Sequence, residues 1–160
     1  MENQLNTLNE IITLLDNQNN TDHSFKNKIH LYGTINYTRT QYLPQLSKQI
    51  TENTQYDDIF FNYTSAESMI LDILSVIESD LIKNMDENNS YDTIKATKLI
   101  TFTNKLLKIL ENILKTKNEE EKIDKKEYQT IMEQNTQTLF NLQNQFYTLI
   151  YDEKIDFRVK

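Results

Sequence analysis

The chain has very few of the residues that interrupt helices. It contains one glycine and one proline in 160 residues, and it contains no cysteine and no tryptophan. A glycine-rich loop that cradles phosphate is therefore excluded, because such a loop needs several glycines. The absence of cysteine excludes disulfides and thiolate metal sites. The scarcity of turn-forming residues favours long helices joined by a few polar breaks.

Charge and hydrophobic content are typical of one folded domain. Hydrophobic residues make up 38% of the chain and charged residues 26%, with a net charge of −7. We predict a single domain over residues 1–160. The N-terminus lacks the pattern of a signal peptide and no apolar run reaches membrane-spanning length, so we expect a soluble, cytoplasmic protein without a membrane segment. The negative charge disfavours nonspecific binding to nucleic acid.

Apolar residues recur at helical spacing in five segments, and no stretch alternates as a strand does. The segments cover residues 2–18, 22–50, 56–85, 91–117 and 125–151. They predict an all-α fold: an antiparallel up-and-down bundle of four long helices plus an N-terminal helix. The fourth segment is apolar over about half of its circumference, which predicts a central position. Asn135 lies within the last apolar stripe, where a polar residue often fixes register.

Local features refine the second and third segments. Pro44 predicts a kink in the second helix, because proline removes one backbone hydrogen bond and crowds the preceding turn. Residues 64–67 have the form of a capping box, which predicts that a helix starts there. Glu67 would complete that cap rather than form a buried ion pair with Arg39. Ile29 is assigned to the core stripe of the second helix.

The sequence contains no recognisable catalytic or metal-binding motif. Its two histidines, His23 and His30, do not follow a glutamate by three residues, as the helices of di-iron bundles require. The pair Asp57 and Asp58 lacks the further acidic positions that hold Mg²⁺ against phosphate. We therefore expect no enzyme, no metal and no cofactor. The main alternative is an acidic, Mg²⁺-dependent helical enzyme acting on phosphorylated small molecules.

Two helix faces carry residues suited to binding a partner outside their core stripes. The candidates are His30, Gly33 and Tyr37 on the second helix, and Phe140, Tyr147 and Tyr151 on the last helix. The last three recur at spacings of seven and four residues, so they share a face. Tyrosine-rich surfaces supply contact area for protein partners. Alternatively, the N-terminal helix covers the aromatic face of the last helix.

We predict a small intracellular protein–protein interaction module, such as an adaptor, inhibitor or immunity-type protein. It would bind another protein, or a second copy of itself as a homo-oligomer, through these aromatic faces. A further alternative is a nucleic-acid binder that uses a lysine strip on the fourth helix. The strip consists of Lys98, Lys105, Lys108 and Lys115. Nucleic-acid binding is disfavoured, because arginines and interleaved aromatics are scarce and charges usually line the solvated side of such a helix.

Overall fold

The computed structural model describes residues 2–18, 25–53, 58–85, 93–119 and 122–152, and every regular element among them is helical. The helices are α1 (Glu2–Gln18), α2 (Phe25–Tyr37), α3 (Leu43–Asn53), α4 (Asp58–Lys83), α5 (Thr93–Asn118) and α6 (Lys125–Asp152), with a π segment (Thr38–Tyr42) between α2 and α3. The predicted all-α fold is confirmed. Since α2, the π segment and α3 follow one another without a break, the described residues form four long helices and an N-terminal one.

The two helices α4 and α5 form the centre of the bundle. α4 packs against α2, α3, α5 and α6, and α5 packs against α1, α4 and α6. All the apolar residues that predict a central α5 are buried, namely Leu99, Ile100, Phe102, Leu106, Leu107, Ile109, Leu110, Ile113 and Leu114. The central position predicted for this helix is therefore confirmed.

Hydrogen bonds between helices show how α2 and α3 lie along α4. Near the start of α2, Lys28 Nζ donates to the carbonyl oxygen of Asn84, just past the end of α4, at 2.8 Å. The hydroxyl of Tyr63, near the start of α4, donates to the carbonyl oxygen of Leu43, at the start of α3, at 3.2 Å. From Lys28 to Leu43 the continuous helix 25–53 advances, while the contacted residues move back along α4 from Asn84 to Tyr63, which is consistent with the predicted antiparallel order.

Buried amides link α6 to the two central helices. Asn135 is buried, as predicted, and its Oδ1 accepts a hydrogen bond from Asn112 Nδ2 of α5 at 2.8 Å. Asn62 of α4 is also buried; its Nδ2 donates to the carbonyl oxygen of Met132 at 3.3 Å, and its Oδ1 accepts from Thr136 Oγ1 at 2.9 Å. Hydrogen bonds require particular distances and angles, so these contacts favour one axial alignment of α6.

A π segment precedes Pro44. The backbone N–H of Leu43 donates to the carbonyl oxygen of Thr38, five residues back, and Tyr37 and Leu43 at its two ends have right-handed helical backbone angles. Proline has no N–H to donate and crowds the preceding turn, and π turns occur where regular α-helical bonding is interrupted. The chain therefore stays helical through this point. The kink near Pro44 stays a prediction.

The helix start predicted within residues 64–67 is wrong. α4 runs without interruption from Asp58 to Lys83, and the apolar stripe passes through the motif, with Tyr63, Ala66 and Ile70 all buried. A capping box satisfies backbone N–H groups that lack a partner, whereas inside a continuous helix these groups bond to the preceding turn. Glu67 instead lies within hydrogen-bonding distance of the Tyr63 hydroxyl, one turn earlier, whose single proton can be donated either to Glu67 or to the Leu43 carbonyl oxygen.

Arg39 pairs with Glu78 of α4. Its Nε donates to Oε2 at 3.2 Å and its Nη2 donates to Oε1 at 2.7 Å, so the guanidinium binds the carboxylate with two hydrogen bonds. The Glu78 side chain is only 13% exposed. Paired bonds of this kind are stronger and more directional than a single contact between a lysine and a carboxylate. The pair therefore fixes the π segment against α4.

The core assignment of Ile29 is wrong, because its side chain is 47% exposed. The inward side of α2 is formed by Lys28, Leu31 and Ile35, all of which are buried. Lys28 is held inward by the bond of its ammonium group to the end of α4. At about 100° per residue, this places the following residue towards solvent. The buried Lys28 thus occupies the inward position on α2 that the apolar spacing assigns to Ile29.

The Tyr63–Glu67 contact links folding to pH. Burial raises the pKa of Tyr63, and its hydrogen bond to Glu67 raises it further. Burial also raises the pKa of Glu67, against the smaller opposing effect of the Tyr63 hydrogen bond. The folded protein therefore binds a proton at Glu67 more tightly than the unfolded chain does. At pH values below the pKa that Glu67 has in the unfolded chain, the residue is protonated in both states and does not lower the free energy of unfolding. As the pH rises from there through the pKa that Glu67 has in the folded protein, its ionisation lowers the free energy of unfolding.

We expect Glu67→Gln to raise the melting temperature at about pH 7, since an amide cannot ionise and its carbonyl oxygen can still accept from the Tyr63 hydroxyl. Near pH 3.5, where glutamate is protonated in the unfolded chain, the difference from the parent should largely vanish. Thermal unfolding followed by far-UV circular dichroism measures both. Glu10→Gln, at an exposed position of α1, is the control and should change the melting temperature less. A lower melting temperature for Glu67→Gln at neutral pH would contradict the assignment.

Candidate functional site

The last helix buries one side only. The buried residues of α6 are Met132, Asn135, Leu139, Leu142 and Phe146. On a different side of the helix, Phe140 is 55% exposed and Tyr147 is 48% exposed. These two residues are seven positions apart, about two helical turns, so their rings lie along one line of the surface.

We define the α6 aromatic face as Phe140, Gln143 and Tyr147. Gln143 Nε2 donates to the Tyr147 hydroxyl oxygen at 3.4 Å. The Tyr147 ring lies 5.7 Å from that of Phe146, which in turn lies 6.3 Å from the ring of Phe102 on α5. The exposed tyrosine is therefore supported by buried rings beneath it. The side chain of Tyr151, the third predicted aromatic, lies outside the described residues, although its backbone belongs to α6.

The N-terminal helix does not cover this face. α1 packs against α5 and α2. Its contacts include a hydrogen bond of 2.9 Å from the Tyr42 hydroxyl to the carbonyl oxygen of Gln4, and one of 3.4 Å from Asn104 Nδ2 to the carbonyl oxygen of Ile12. The alternative in which α1 covers the aromatic face is therefore wrong, and the rings of Phe140 and Tyr147 are open to solvent.

The exposed surface of α6 is uncharged over its last five turns. Between Glu133 and Asp152 the sequence contains no Asp, Glu, Lys, Arg or His, although 26% of the whole chain is charged. Ten residues of this stretch are exposed: Gln134, Gln137, Thr138, Phe140, Asn141, Gln143, Asn144, Gln145, Tyr147 and Thr148. We call them the uncharged surface of α6. This signal is present in the sequence, but apolar spacing alone does not reveal it.

The second set of candidates lies on the exposed side of α2. Tyr37 is 45% exposed, and His30 and Gly33 are exposed as well. Ile29 extends this face by one turn. The structure therefore brings the predicted site residues together in two groups, one on α2 and one on α6, on helices that each pack against α4.

A side chain at Gly33 would find open space. A Cβ atom built on this residue meets nothing within 4 Å. Glycine costs stability inside a helix because it loses more backbone freedom on folding than other residues do. Contacts among the described residues therefore do not account for glycine at this position. A close approach of another backbone stays a prediction about a bound partner.

The four lysines of the predicted strip are not aligned in a single row. Lys98 and Lys105 are seven residues apart and share a face of α5, whereas Lys108 and Lys115 are turned from them by about 60–100°. Lys115 Nζ also forms an ion pair of 2.7 Å with Glu111, one turn earlier. Tracking a phosphate backbone requires an extended row of cations, and this division shortens the row.

Within the described part of the chain, no three His, Cys, Asp or Glu side chains are grouped so that they could hold a metal ion. His23 and Asp57 lie outside the described residues. Among the helices that the structure describes, none is both long enough and apolar enough to cross a membrane.

Known proteins offer no match. No protein-family model, no curated protein and no solved structure matches this chain. The candidate site is therefore defined by the exposure, charge and geometry of its own residues.

We expect Gly33→Ala to raise the free energy of unfolding by about 0.5–1 kcal/mol, because the new methyl group meets open space and alanine is the better helix former. Gly33→Val is the matched control and should gain less, since valine has a lower helix propensity than alanine. Urea unfolding followed by circular dichroism at 222 nm measures both. A loss of stability in the alanine variant would show that the residue is not an unstrained, exposed helical position.

Proposed function

We propose that this protein is a small intracellular protein–protein interaction module, and that its main binding surface is the uncharged surface of α6 centred on Phe140 and Tyr147. The observation that carries the proposal is that an exposed helix surface combines two large aromatic rings with a complete lack of charge. The α2 face, with His30, Gly33 and Tyr37, is proposed as a second contact region.

Desolvation supports this choice of surface. The centres of protein–protein interfaces are poor in charged residues and rich in aromatic ones, because a buried charge without a partner is costly and a ring supplies a large contact area. Amide and hydroxyl side chains, which fill the rest of the uncharged surface, form hydrogen bonds without the desolvation cost of an ion. Binding surfaces of antibodies likewise combine tyrosine with small polar residues.

The dimensions of the surface support the same function. Residues 134–151 span about 27 Å of helix, at 1.5 Å per residue. A standard interface buries roughly 800 Å² on each partner, and such a patch has a comparable breadth. The ring of Tyr147 is supported from beneath by Phe146 at 5.7 Å, so less side-chain freedom is lost when a partner binds.

Paired substitutions test the proposal. We expect the double variant Phe140→Ser and Tyr147→Ser to weaken partner binding at least about tenfold, or roughly 1.4 kcal/mol, since exposed aromatics often dominate binding energy. Ile82→Ser is the matched control, because Ile82 is 57% exposed but lies on α4. Affinity purification from the cells of origin, quantified by mass spectrometry, measures retention. Sedimentation velocity of the purified protein tests for a homo-oligomer that the same double variant dissociates.

The test requires that the variants remain folded. We expect this because surface substitutions usually change the free energy of unfolding by less than about 0.5 kcal/mol. Loss of helical circular dichroism would show that the rings belong to the core. Equal retention by the double variant and by Ile82→Ser, together with unchanged sedimentation, would refute the proposal. Gln143→Glu adds a charge at nearly constant shape, and it should also weaken binding because the carboxylate would have to be desolvated.

A further inference from the structure

A groove runs between the first half of α5 and the last half of α6. Its volume is about 590 Å³. Phe102 and Leu149 supply apolar surface, and Thr101 and Thr148 are among the polar residues that line the groove. Small-molecule sites have volumes of roughly 300–1,000 Å³, and they combine an apolar lining with a few polar groups. The size and composition of the groove fit that class.

The described residues of the groove carry a charge opposite to that of the protein. Lys98 and Lys105 line it, and none of the described lining residues is acidic, whereas the chain as a whole has a net charge of −7. The two lysines are seven residues apart and thus share a face of α5, about 10 Å apart along the axis. A ligand with one negative group could meet the ammonium group of Lys105 while its apolar part contacts Phe102 and Leu149. Charge complementarity therefore favours an anion.

We propose that this groove binds a small anionic amphiphile: a molecule with an apolar body and a single carboxylate head, such as a medium-chain fatty acid. The lining residues of α5 begin at Thr97 and end at Lys105, a span of about 12 Å. This length accommodates a chain of about ten carbons, whereas a partner helix would need anchor positions over several turns. The carboxylate pairs with Lys105, and the alkyl chain covers Phe102 and Leu149.

The groove shares Asn144, Gln145 and Thr148 with the uncharged surface of α6, but it does not include the α6 aromatic face. Leu149 and Phe140 are nine residues apart, which places them on opposite sides of the helix at about 100° per residue. The inference therefore does not rest on the proposed protein partner. Loss of the aromatic rings should leave binding in the groove unchanged, so the two proposals fail independently.

The full-length, ¹⁵N-labelled protein is titrated with sodium decanoate, and amide shifts are followed by NMR. We expect saturable shifts concentrated at residues 97–105 and 144–149. Lys105→Glu should weaken decanoate binding about tenfold or more. Lys108→Glu makes the same change in net charge on the same helix, but Lys108 is not among the lining residues, so its effect should be small. Decylamine, with the same chain length and the opposite charge, should bind at least tenfold more weakly.

Thr148→Phe is a second variant that fills the groove without changing charge, and it should also reduce decanoate binding while the helical circular dichroism is retained. Equal weakening by Lys105→Glu and Lys108→Glu would mean nonspecific attraction and would overturn the proposal. So would shifts spread over the whole surface, or equal binding of decylamine. If saturable binding appears only after residues 153–160 are removed, the end of the chain occupies the groove, and the proposal is wrong.

Discussion

The packing of α4 against α5 is the contact on which the other helices depend. Residues such as Ile73 and Leu74 on α4, and Leu106 and Leu110 on α5, are completely buried. α1 docks on α5, α2 and α3 dock on α4, and α6 docks on both. Because α4 and α5 already form the centre of the core, an outer helix needs to bury only one apolar stripe against them. Its remaining faces can stay exposed. This allows α6 to have a broad exposed surface and still pack firmly.

Much of the fold could be predicted because helical periodicity is a local property of the sequence. The apolar stripes gave helix bounds close to those observed and identified α5 as central. The failures occur where a distant partner decides the outcome. Residues 64–67 resemble a helix start, but packing on both sides of them maintains α4. Arg39 and Glu78 are far apart in sequence, and no local pattern connects them.

The candidate site was predictable in part for the same reason. Tyr37, Phe140 and Tyr147 fall outside the core stripes, and helical geometry is enough to place them on the surface. Whether α1 covers α6 could not be predicted, because a narrow apolar stripe is able to dock on more than one neighbour. Buried contacts such as that between Asn104 and Ile12 accompany its position on α5. An uncharged helical stretch is equally typical of a buried helix. It therefore indicates a binding surface only when its residues are seen to be exposed, as they are in α6.

Two cations define how α2 sits on its neighbour. Lys28 binds the carbonyl oxygen of Asn84. Arg39, about three helical turns after Lys28 on the same continuous helix, binds Glu78. Because of these two contacts, the helix cannot rotate about its axis or shift along α4 without breaking a hydrogen bond to a charged group. Such hydrogen bonds are among the stronger ones in proteins. The exposed residues of α2, including Gly33 and Tyr37, therefore point in a fixed direction relative to the rest of the bundle. An approaching molecule meets a surface whose orientation is already determined, which lowers the entropy lost when a complex forms.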